Sequence, residues 1–441
     1  MHGLTVRLAG AWAWRLLLAI CLIALVAVPV QAAKKAAKEA AAKDASKKDL
    51  PAVCQASSKD DDKSKDDEDE EDDDDDEEES GVKFDLAGAC ATLTGGVSYT
   101  YQKTKQNASG LPFIVTRSGK VSKGADSNSV TASVGLETSR ETRLGEFTTS
   151  VSAEWSKSTG DGTSSGAFSV TGWTVGLGGL EVGYTGTLMS FWDGDFLSTA
   201  NSPKRSANIV SYEHELFENL KLAVSIESSL MTTPTDTSGL VDFNFSDPVY
   251  VGRGLYETDD VTVHVSGLVR RADFSASPLL PLFRDTATTR TGWAASLGFK
   301  LPLEFIAEDD DFTFQATYAV DASSYLGTTT DLAIYQNTVR VTGPTRGWSA
   351  VGSFHHVFSE QFEANIFASY LALDAELLLA KPSARTFRTG VNLFWKPHEK
   401  IKLGAEIGYI DMKLDPQGVL GIFDGASGRA TVGYLSLSAE L

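Results

Sequence analysis

The feature that most constrains the fold of this chain is an alternation of apolar and polar residues that begins near residue 90 and recurs to the end of the sequence. In the first such segment, Leu93, Val97 and Tyr99 share one parity, whereas Thr94 and Thr100 share the other. Successive side chains of a β-strand point to opposite faces of the sheet, so this segment is a strand with one apolar and one polar face. Sixteen segments follow the pattern, and it is weakest at 168–178, 207–215 and 249–256.

The connections between these segments alternate between long and short. Outer-membrane barrels have tight periplasmic turns and longer external loops, and an even number of strands places both chain ends on one side of the membrane. The sequence therefore predicts an all-β fold, a 16-stranded antiparallel transmembrane β-barrel. The long connections are 104–127, 157–165, 189–206, 231–248, 274–290, 322–345, 375–385 and 414–427, and the short ones are 140–145, 178–180, 216–219, 257–260, 303–310, 359–361 and 397–400.

The width of such a barrel decides which face meets lipid. Side chains cannot fill the lumen of a 16-stranded barrel, so the polar parity lines water and the apolar parity points outward into lipid. Aromatic residues on the outward parity also sort into two bands, as expected at the two headgroup levels. The band at the loop ends is Tyr99, Trp155, Trp293, Trp348, Tyr370, Phe387 and Tyr409, and the band at the turn ends is Phe147, Phe312, Phe358, Phe362 and Trp395.

The N-terminal region reads as an export signal. Arg7 and Arg15 precede an apolar run at residues 16–28, and small residues near Ala32 suit signal peptidase. We therefore expect residues 1–32 to be removed. The alternative is an uncleaved membrane helix, for which the run is short of the ~20 residues that a span needs.

Residues 33–81 form a separate zone between the signal and the barrel at 82–441. An Ala/Lys-rich stretch comes first, and residues 60–79 then contain 17 acids in 20 positions, which supply most of the formal net charge of -20. Such a run cannot bury apolar surface, so we expect a mostly disordered, solvated periplasmic segment. Loose calcium binding is an alternative, although no loop-type ligand spacing is present.

Two cysteines remain after the signal, Cys54 and Cys90. An even number of cysteines in an exported protein favours a disulfide between them, and two free thiols are the alternative.

Several motifs resemble the alphaproteobacterial (rhizobial-type) outer-membrane porin family. They are the cysteine pair with the opening CATLTGG at 90–96, the first turn ETSRETRLG at 137–145, and the hairpin GLGGLEVGY at 176–184 followed by SFWDGD at 190–195. The resemblance implies a 16-stranded barrel, usually a homotrimer, that carries ions and small hydrophilic solutes. The chain departs from the family in the long acidic run between its cysteines, and in ending at Leu441 instead of an aromatic residue.

The third external loop, 189–206, is the best candidate for an inward-folded constriction, because a channel needs facing charges at a narrow point. An ordinary solvated loop is the alternative. By parity, several charged strand residues also point inward, and Glu137, Glu227 and Glu363 are among them. The candidates for the pore constriction are Asp193, Asp195, Lys204, Arg205, Arg270, Lys300, Arg388, Lys402, Glu154 and Glu406.

These features predict a porin in the outer membrane of a Gram-negative bacterium, with a water-filled channel for passive diffusion of ions and small hydrophilic solutes. A channel selective for sugars or organic acids is the alternative, and a barrel enzyme or a purely structural barrel is less favoured. The sequence shows no catalytic motif, metal cluster or phosphate loop, so we expect no enzyme activity, cofactor or metal. The expected partners are membrane lipid and solutes, with no nucleic acid.

Overall fold

A computed structural model describes residues 81–86, 88–109, 124–160, 163–227, 248–274, 288–307, 309–327, 343–376, 381, 383–415 and 426–441. The signal at 1–32, the acidic segment and Cys54 lie outside the described residues. Cys90 is disulfide-bonded, but its partner lies outside the described residues, so its pairing with Cys54 stays a prediction. No helix in the described part of the chain is long and apolar enough to cross a membrane.

The described chain is almost entirely β-structure. It holds one short 3-10 helix, η1 (Ser323–Leu326). The strands are β1 (Val82–Leu86), β2 (Ala89–Ser109), β3 (Gly124–Thr142), β4 (Gly145–Gly160), β5 (Thr163–Leu177), β6 (Leu180–Gly186), β7 (Ser206–Phe217), β8 (Leu220–Glu227), β9 (Val249–Glu257), β10 (Thr262–Phe274), β11 (Thr288–Pro302), β12 (Asp311–Val320), β13 (Arg346–Ser359), β14 (Phe362–Asp374), β15 (Ser383–His398), β16 (Ile401–Asp415) and β17 (Ala426–Glu440).

Strands β2 to β17 close a 16-stranded antiparallel barrel, which confirms the predicted fold. Each strand pairs with its neighbours in sequence, and β17 closes the cylinder by pairing with β2, where Leu437 lies opposite Tyr99. All sixteen segments found from the alternation are strands, including the three weakest ones. A closed barrel has no free edge strand, so the paired stretches satisfy their backbone hydrogen bonds within the sheet.

The seam of the barrel carries a short strand that the alternation did not predict. Strand β1 pairs with the first residues of β2, from Ala89 to Leu93, whereas β17 pairs with β2 from Gly96 onward. The amide of Leu441 donates to the carbonyl of Gly95 at 2.9 Å. Strand β1 therefore occupies the same side of β2 as β17, next to the end of β17. The alternation did not predict it, because five residues are too few to show a clear period.

The turn between β5 and β6 shows how a short connection is encoded. Leu177 pairs directly with Leu180 across two residues, Gly178 and Gly179. Both glycines have positive φ, 54° and 87°. A two-residue hairpin turn of this hand needs positive φ at both central positions, which glycine adopts without steric cost.

The apolar parity faces outward, as predicted. Leu435 and Leu437 are 57% and 45% exposed, and on β8 the exposed Leu222, Val224 and Ile226 alternate with buried residues. Most residues of the two aromatic bands, including Trp155 and Trp395, are also exposed on the outer surface. A soluble barrel would bury these side chains, so this surface fits lipid.

The inner face departs from the expectation of a uniformly hydroxyl-rich wall. On β3 and β4 the inward side chains, such as Ser133 and Glu154, keep contact with solvent. From β7 to β14 many inward residues are buried and apolar, because loop residues cover them. This internal apolar cluster contains Leu188, Met189, Ile209, Ala223, Val249, Val251, Leu268, Ala294, Ala319, Ala322, Tyr325, Leu326, Leu371 and Leu373.

Candidate functional site

The connection between β6 and β7, residues 187–205, folds into the lumen, as the sequence predicts for the third external loop. We call it L3. Its contacts reach inward side chains more than 120 positions away: the Trp192 amide donates to Gln315 Oε1 at 2.9 Å, and the Trp192 indole donates to Ser353 Oγ at 2.8 Å. Such contacts require L3 to run along the inner wall instead of out into solvent.

L3 has no regular secondary structure, so its backbone polar groups need other partners. Wall side chains supply them along its length. Gln315 on β12 accepts from two L3 amides and donates to the Met189 carbonyl at 2.8 Å. Asn392 on β15 donates to the Asp195 carbonyl at 2.7 Å, and Ser369 on β14 accepts from the Asn201 amide at 3.1 Å. L3 is therefore a fixed part of the wall.

Two buried carboxylates hold L3, one at its start and one near its middle. Glu227 on β8 accepts from the Thr187 hydroxyl at 2.9 Å and from the Leu188 amide at 3.1 Å. Glu406 on β16, which is 3% exposed, accepts from the amides of Leu197 and Ser198 at 2.7 Å each. Hydrogen bonds to a charged group are stronger than neutral ones, so these two carboxylates are the main anchors of the loop.

Residues 192–199 of L3 alternate between the wall and the water. Trp192 and Phe196 pack on Phe367 of β14, with ring centroids 6.1 Å and 4.5 Å apart. The side chains of Asp193 and Asp195 are 79% and 60% exposed. The aromatic residues thus bind the loop to the wall, and the two carboxylates face the open lumen.

Each exposed aspartate forms an ion pair. Asp193 pairs with Lys204 within L3, and Asp195 pairs with Lys402 of β16. Lys402 also lies 3.9 Å from the centroid of the Phe394 ring and 2.9 Å from Glu363 Oε1. Lys402 therefore joins the L3 carboxylate to the charges of the wall.

The wall charges beside Lys402 form a chain across neighbouring strands. Glu363 on β14 contacts Lys396 at 2.6 Å and His355 at 3.6 Å, and His355 lies 3.6 Å from Asp311. Asp311 in turn lies 3.7 Å from Lys300 on β11. Opposite charges alternate along this chain, so most of the basic groups on this side of the lumen have an acidic neighbour.

The ten residues predicted for the constriction fall into two groups: seven lie on the lumenal side of L3 or the wall, and three hold loops. Asp193, Asp195, Lys204, Lys402 and Arg388 lie at the lumenal surface of L3 or against it, since Arg388 donates to the Thr199 carbonyl at 3.2 Å. Glu154 faces the lumen from β4, and Lys300 belongs to the wall charges. The others hold loops: Glu406 binds the L3 backbone, Arg270 is buried and donates to the Asp321 carbonyl at 3.0 Å, and Arg205 lies 4.7 Å over the Tyr325 ring.

Sequence reasoning missed the neutral residues that position L3, namely Gln315, Ser353, Ser369 and Asn392. A usable signal was present in β14, where Phe367, Leu371 and Leu373 on the inward parity are as apolar as the outward residues. A strand that is apolar on both faces is covered on both faces, which indicates a loop inside the barrel. In the described residues, no group of three or more His, Cys, Asp or Glu could hold a metal ion.

The chain is similar to known proteins both in sequence and in fold. A sequence family described as the porin subfamily matches residues 60–424. The fold is similar to the crystal structure of the outer membrane channel DcaP of Acinetobacter baumannii, with a TM-score of 0.58 and 17% identity over 82% of this chain and 100% of that one. No curated protein sequence matches the chain.

Two further solved structures match with lower scores. Outer-membrane expressed OmpT of Vibrio cholerae has a TM-score of 0.47 and 9% identity, over 80% of this chain and 100% of that one. The anion-selective porin from Comamonas acidovorans has a TM-score of 0.47 and 10% identity, also over 80% and 100%.

Proposed function

The chain belongs to the porin subfamily, and we propose that L3 and the wall that holds it form the constriction of its channel. The protein is an outer-membrane porin of a Gram-negative bacterium, and its water-filled barrel passes ions and small hydrophilic solutes by passive diffusion. In the proposed constriction, Asp193 and Asp195 face water from L3. Lys402 of β16 pairs with Asp195, and Arg388 of β15 lies against Thr199 of L3.

One observation supports this proposal above the others: L3 lies across the inner wall with two carboxylates in the open lumen and is held by buried anchors. A fixed loop keeps its charges at a constant distance from the path of an ion. Charges lining a narrow aqueous passage set selectivity by attracting one sign of ion. The wetted wall of β3 and β4 adds Glu137 and Glu154, so we propose a mild preference for cations.

The function is tested by conductance. Purified protein reconstituted into planar bilayers should give stepwise increases in current, and the reversal potential in a salt gradient should report the preferred ion. A barrel that inserts but carries no current would exclude the diffusion channel and would favour a purely structural role.

The role of L3 is tested by neutralising its exposed acids. The double variant Asp193→Asn/Asp195→Asn should shift selectivity toward anions, because it removes two negative charges and leaves Lys204 and Lys402 without their ion pairs to L3 carboxylates. A charge about 4 Å from an ion changes its energy by about 1 kcal/mol in water, which corresponds to roughly a fivefold change in the permeability ratio.

The matched control is Asp411→Asn. Asp411 pairs with Arg429 on the outward parity of β16, at 3.1 Å, so its neutralisation should leave the reversal potential unchanged. Equal reversal potentials for the double variant and the wild type would place the constriction elsewhere in the lumen.

We favour general diffusion over a channel selective for sugars or organic acids. Aromatic stacking along the lumen would support solute selectivity, but Trp192 and Phe196 of L3 pack against the wall. We likewise propose that the protein has no enzymatic activity and no cofactor, and that it comes from the alphaproteobacterial branch of the family.

We also propose that the protein assembles as a homotrimer in outer-membrane lipid, in keeping with the family resemblance. An export signal at 1–32, a disordered acidic segment and a bridge from Cys54 to Cys90 complete the proposal. The disulfide of Cys90 agrees with that bridge without identifying the partner.

A further inference from the structure

A second segment folds into the barrel beside L3. It follows β12, comprises residues 321–327 and includes η1, and we call it the β12 latch. Ala322, Tyr325 and Leu326 in it are fully buried, and they pack in the internal apolar cluster with Leu188 and Met189 of L3. Burial raises the pKa of Tyr325 to about 12, so its hydroxyl is neutral in the physiological range. The residues between the latch and Gly343 lie outside the described chain.

The start of the latch is fixed to the wall through Asp321. This residue has a φ of 50°, which is rare for residues other than glycine and is best tolerated by Asp and Asn. Its side chain accepts from the Thr345 amide at 2.9 Å, and its own amide donates to the Thr345 carbonyl at 2.8 Å. Arg270 of β10 donates to the Asp321 carbonyl at 3.0 Å. The unusual backbone conformation is therefore held from three sides.

Three glycines make room for the latch. A Cβ at Gly292 of β11 would lie 2.4 Å from the Asp321 carbonyl oxygen, and one at Gly347 of β13 would lie 2.8 Å from Leu326 Cδ1. Gly327 has a φ of 88°, and a Cβ there would lie 2.4 Å from the amide nitrogen of Ser202 in L3. The latch thus approaches two strands and L3 more closely than other residues would permit.

The far end of the latch contacts the second part of L3, residues 199–205, which we call its returning limb; residues 187–198 are the outgoing limb. Gly327 lies against Ser202, and the guanidinium of Arg205 lies 4.7 Å over the Tyr325 ring. Lys204 stands between these two contacts and pairs with Asp193 on the outgoing limb. The wall residues Glu227, Gln315 and Glu406 bind residues 187–198 of L3. The returning limb is held by Arg388 and Ser369 of the wall, at Thr199 and Asn201, and beyond Asn201 by the latch.

From these contacts we propose that the β12 latch is a positioning element of the channel, which fixes the returning limb of L3 and keeps Lys204 beside Asp193. The proposal rests on the proposed constriction. Without the latch, the returning limb samples displaced positions, the width of the passage fluctuates, and Lys204 no longer neutralises Asp193 continuously. Tyr325 and Gly327 act through L3 and touch no permeating ion.

Single-channel recording of Tyr325→Ala and Gly327→Ala tests the proposal. The alanine at 325 removes the ring under Arg205, and the alanine at 327 forces a Cβ into the backbone of Ser202. Both variants should show conductance substates, because a minor conformation that is rare in the wild type rises to about 10% of the open time. Tyr325→Phe keeps the ring and should record as wild type.

The outcomes separate the latch from the rest of the channel. Barrel formation is checked for each variant by the heat-dependent shift in electrophoretic migration. Wild-type records for both alanine variants would overturn the proposal, and so would failure of both variants to form a barrel, because a latch that only positions L3 is dispensable for closure. Substates in both variants, with no selectivity change on neutralising Asp193 and Asp195, would support the latch and reject the proposed constriction.

Discussion

Replacing Val391 with arginine should destabilise the barrel by about 2–4 kcal/mol, the cost of a cationic side chain on the lipid face near the bilayer midplane. Val391 is exposed on the outer surface of β15, four residues from Phe387 and four from Trp395, which belong to the two aromatic bands. It therefore lies midway between the headgroup levels. Urea titration of the barrel folded in lipid vesicles, followed by the heat-dependent shift in electrophoretic migration, measures the loss.

The matched control for this variant is Ser133→Arg. Ser133 is exposed on the inward parity of β3, where an arginine stays in lumenal water. We expect its free energy of unfolding to change little and its ion selectivity to change instead. Equal stability of the two arginine variants would contradict the assignment of the apolar parity to lipid, on which the whole channel interpretation depends.

Replacing Glu406 with alanine should release the middle of L3 and produce the largest change in conductance of any single substitution in the lumen. The substitution removes two hydrogen bonds of 2.7 Å, to the amides of Leu197 and Ser198. A hydrogen bond to a charged group contributes about 1.5–3 kcal/mol, so the bound position of the loop loses a large part of its advantage over displaced positions. The two amides are also left without their buried acceptor.

Planar bilayer recording should then show a larger and noisier open-channel current, while the barrel itself stays folded because β16 keeps its pairing with both neighbours. Glu137→Ala is the control for the loss of one negative charge. Glu137 is exposed on the inward parity of β3. If the two variants give the same current amplitude and noise, charge alone accounts for the effect and Glu406 is not an anchor.

These two predictions separate the two faces of the wall. The effect of Val391→Arg is set by the bilayer, since the loss of free energy follows from burying a charge in hydrocarbon. The effect at Glu406 is set by L3, since its buried carboxylate accepts from two L3 amides. The same strands thus carry an outer face that could be assigned from parity and an inner face that depends on what covers it.

The strands and their order were predictable from the sequence because each is defined by its own residues. Alternation along ten or so positions identifies a strand, and glycine pairs such as Gly178 and Gly179 mark a tight turn without any tertiary information. Strand β1 was not predicted, since five residues are too few to show a clear alternation. The inward folding of L3 was expected from its length and charges, and the structure confirms it.

The roles of the lumenal residues were less predictable. Arg270 and Glu406 both point inward, as parity requires, yet they hold loop backbone and are buried instead of lining water. Parity fixes the direction of a side chain but not its neighbour, which for Glu406 comes from a loop 209 positions away. The β12 latch depends on Gly292, Gly327 and Gly347, whose spacing along the chain has no period to reveal it.

What the sequence determined by itself is therefore the cylinder: strand number, turn ends, and the face that meets lipid. These follow from local alternation, because the backbone of a strand sends its side chains to opposite faces wherever it lies. What only the tertiary structure decided is the interior, where L3 and the β12 latch cover β7 to β14 and leave the wall of β3 and β4 to water. That division depends on contacts between distant segments, which no local pattern of residues encodes.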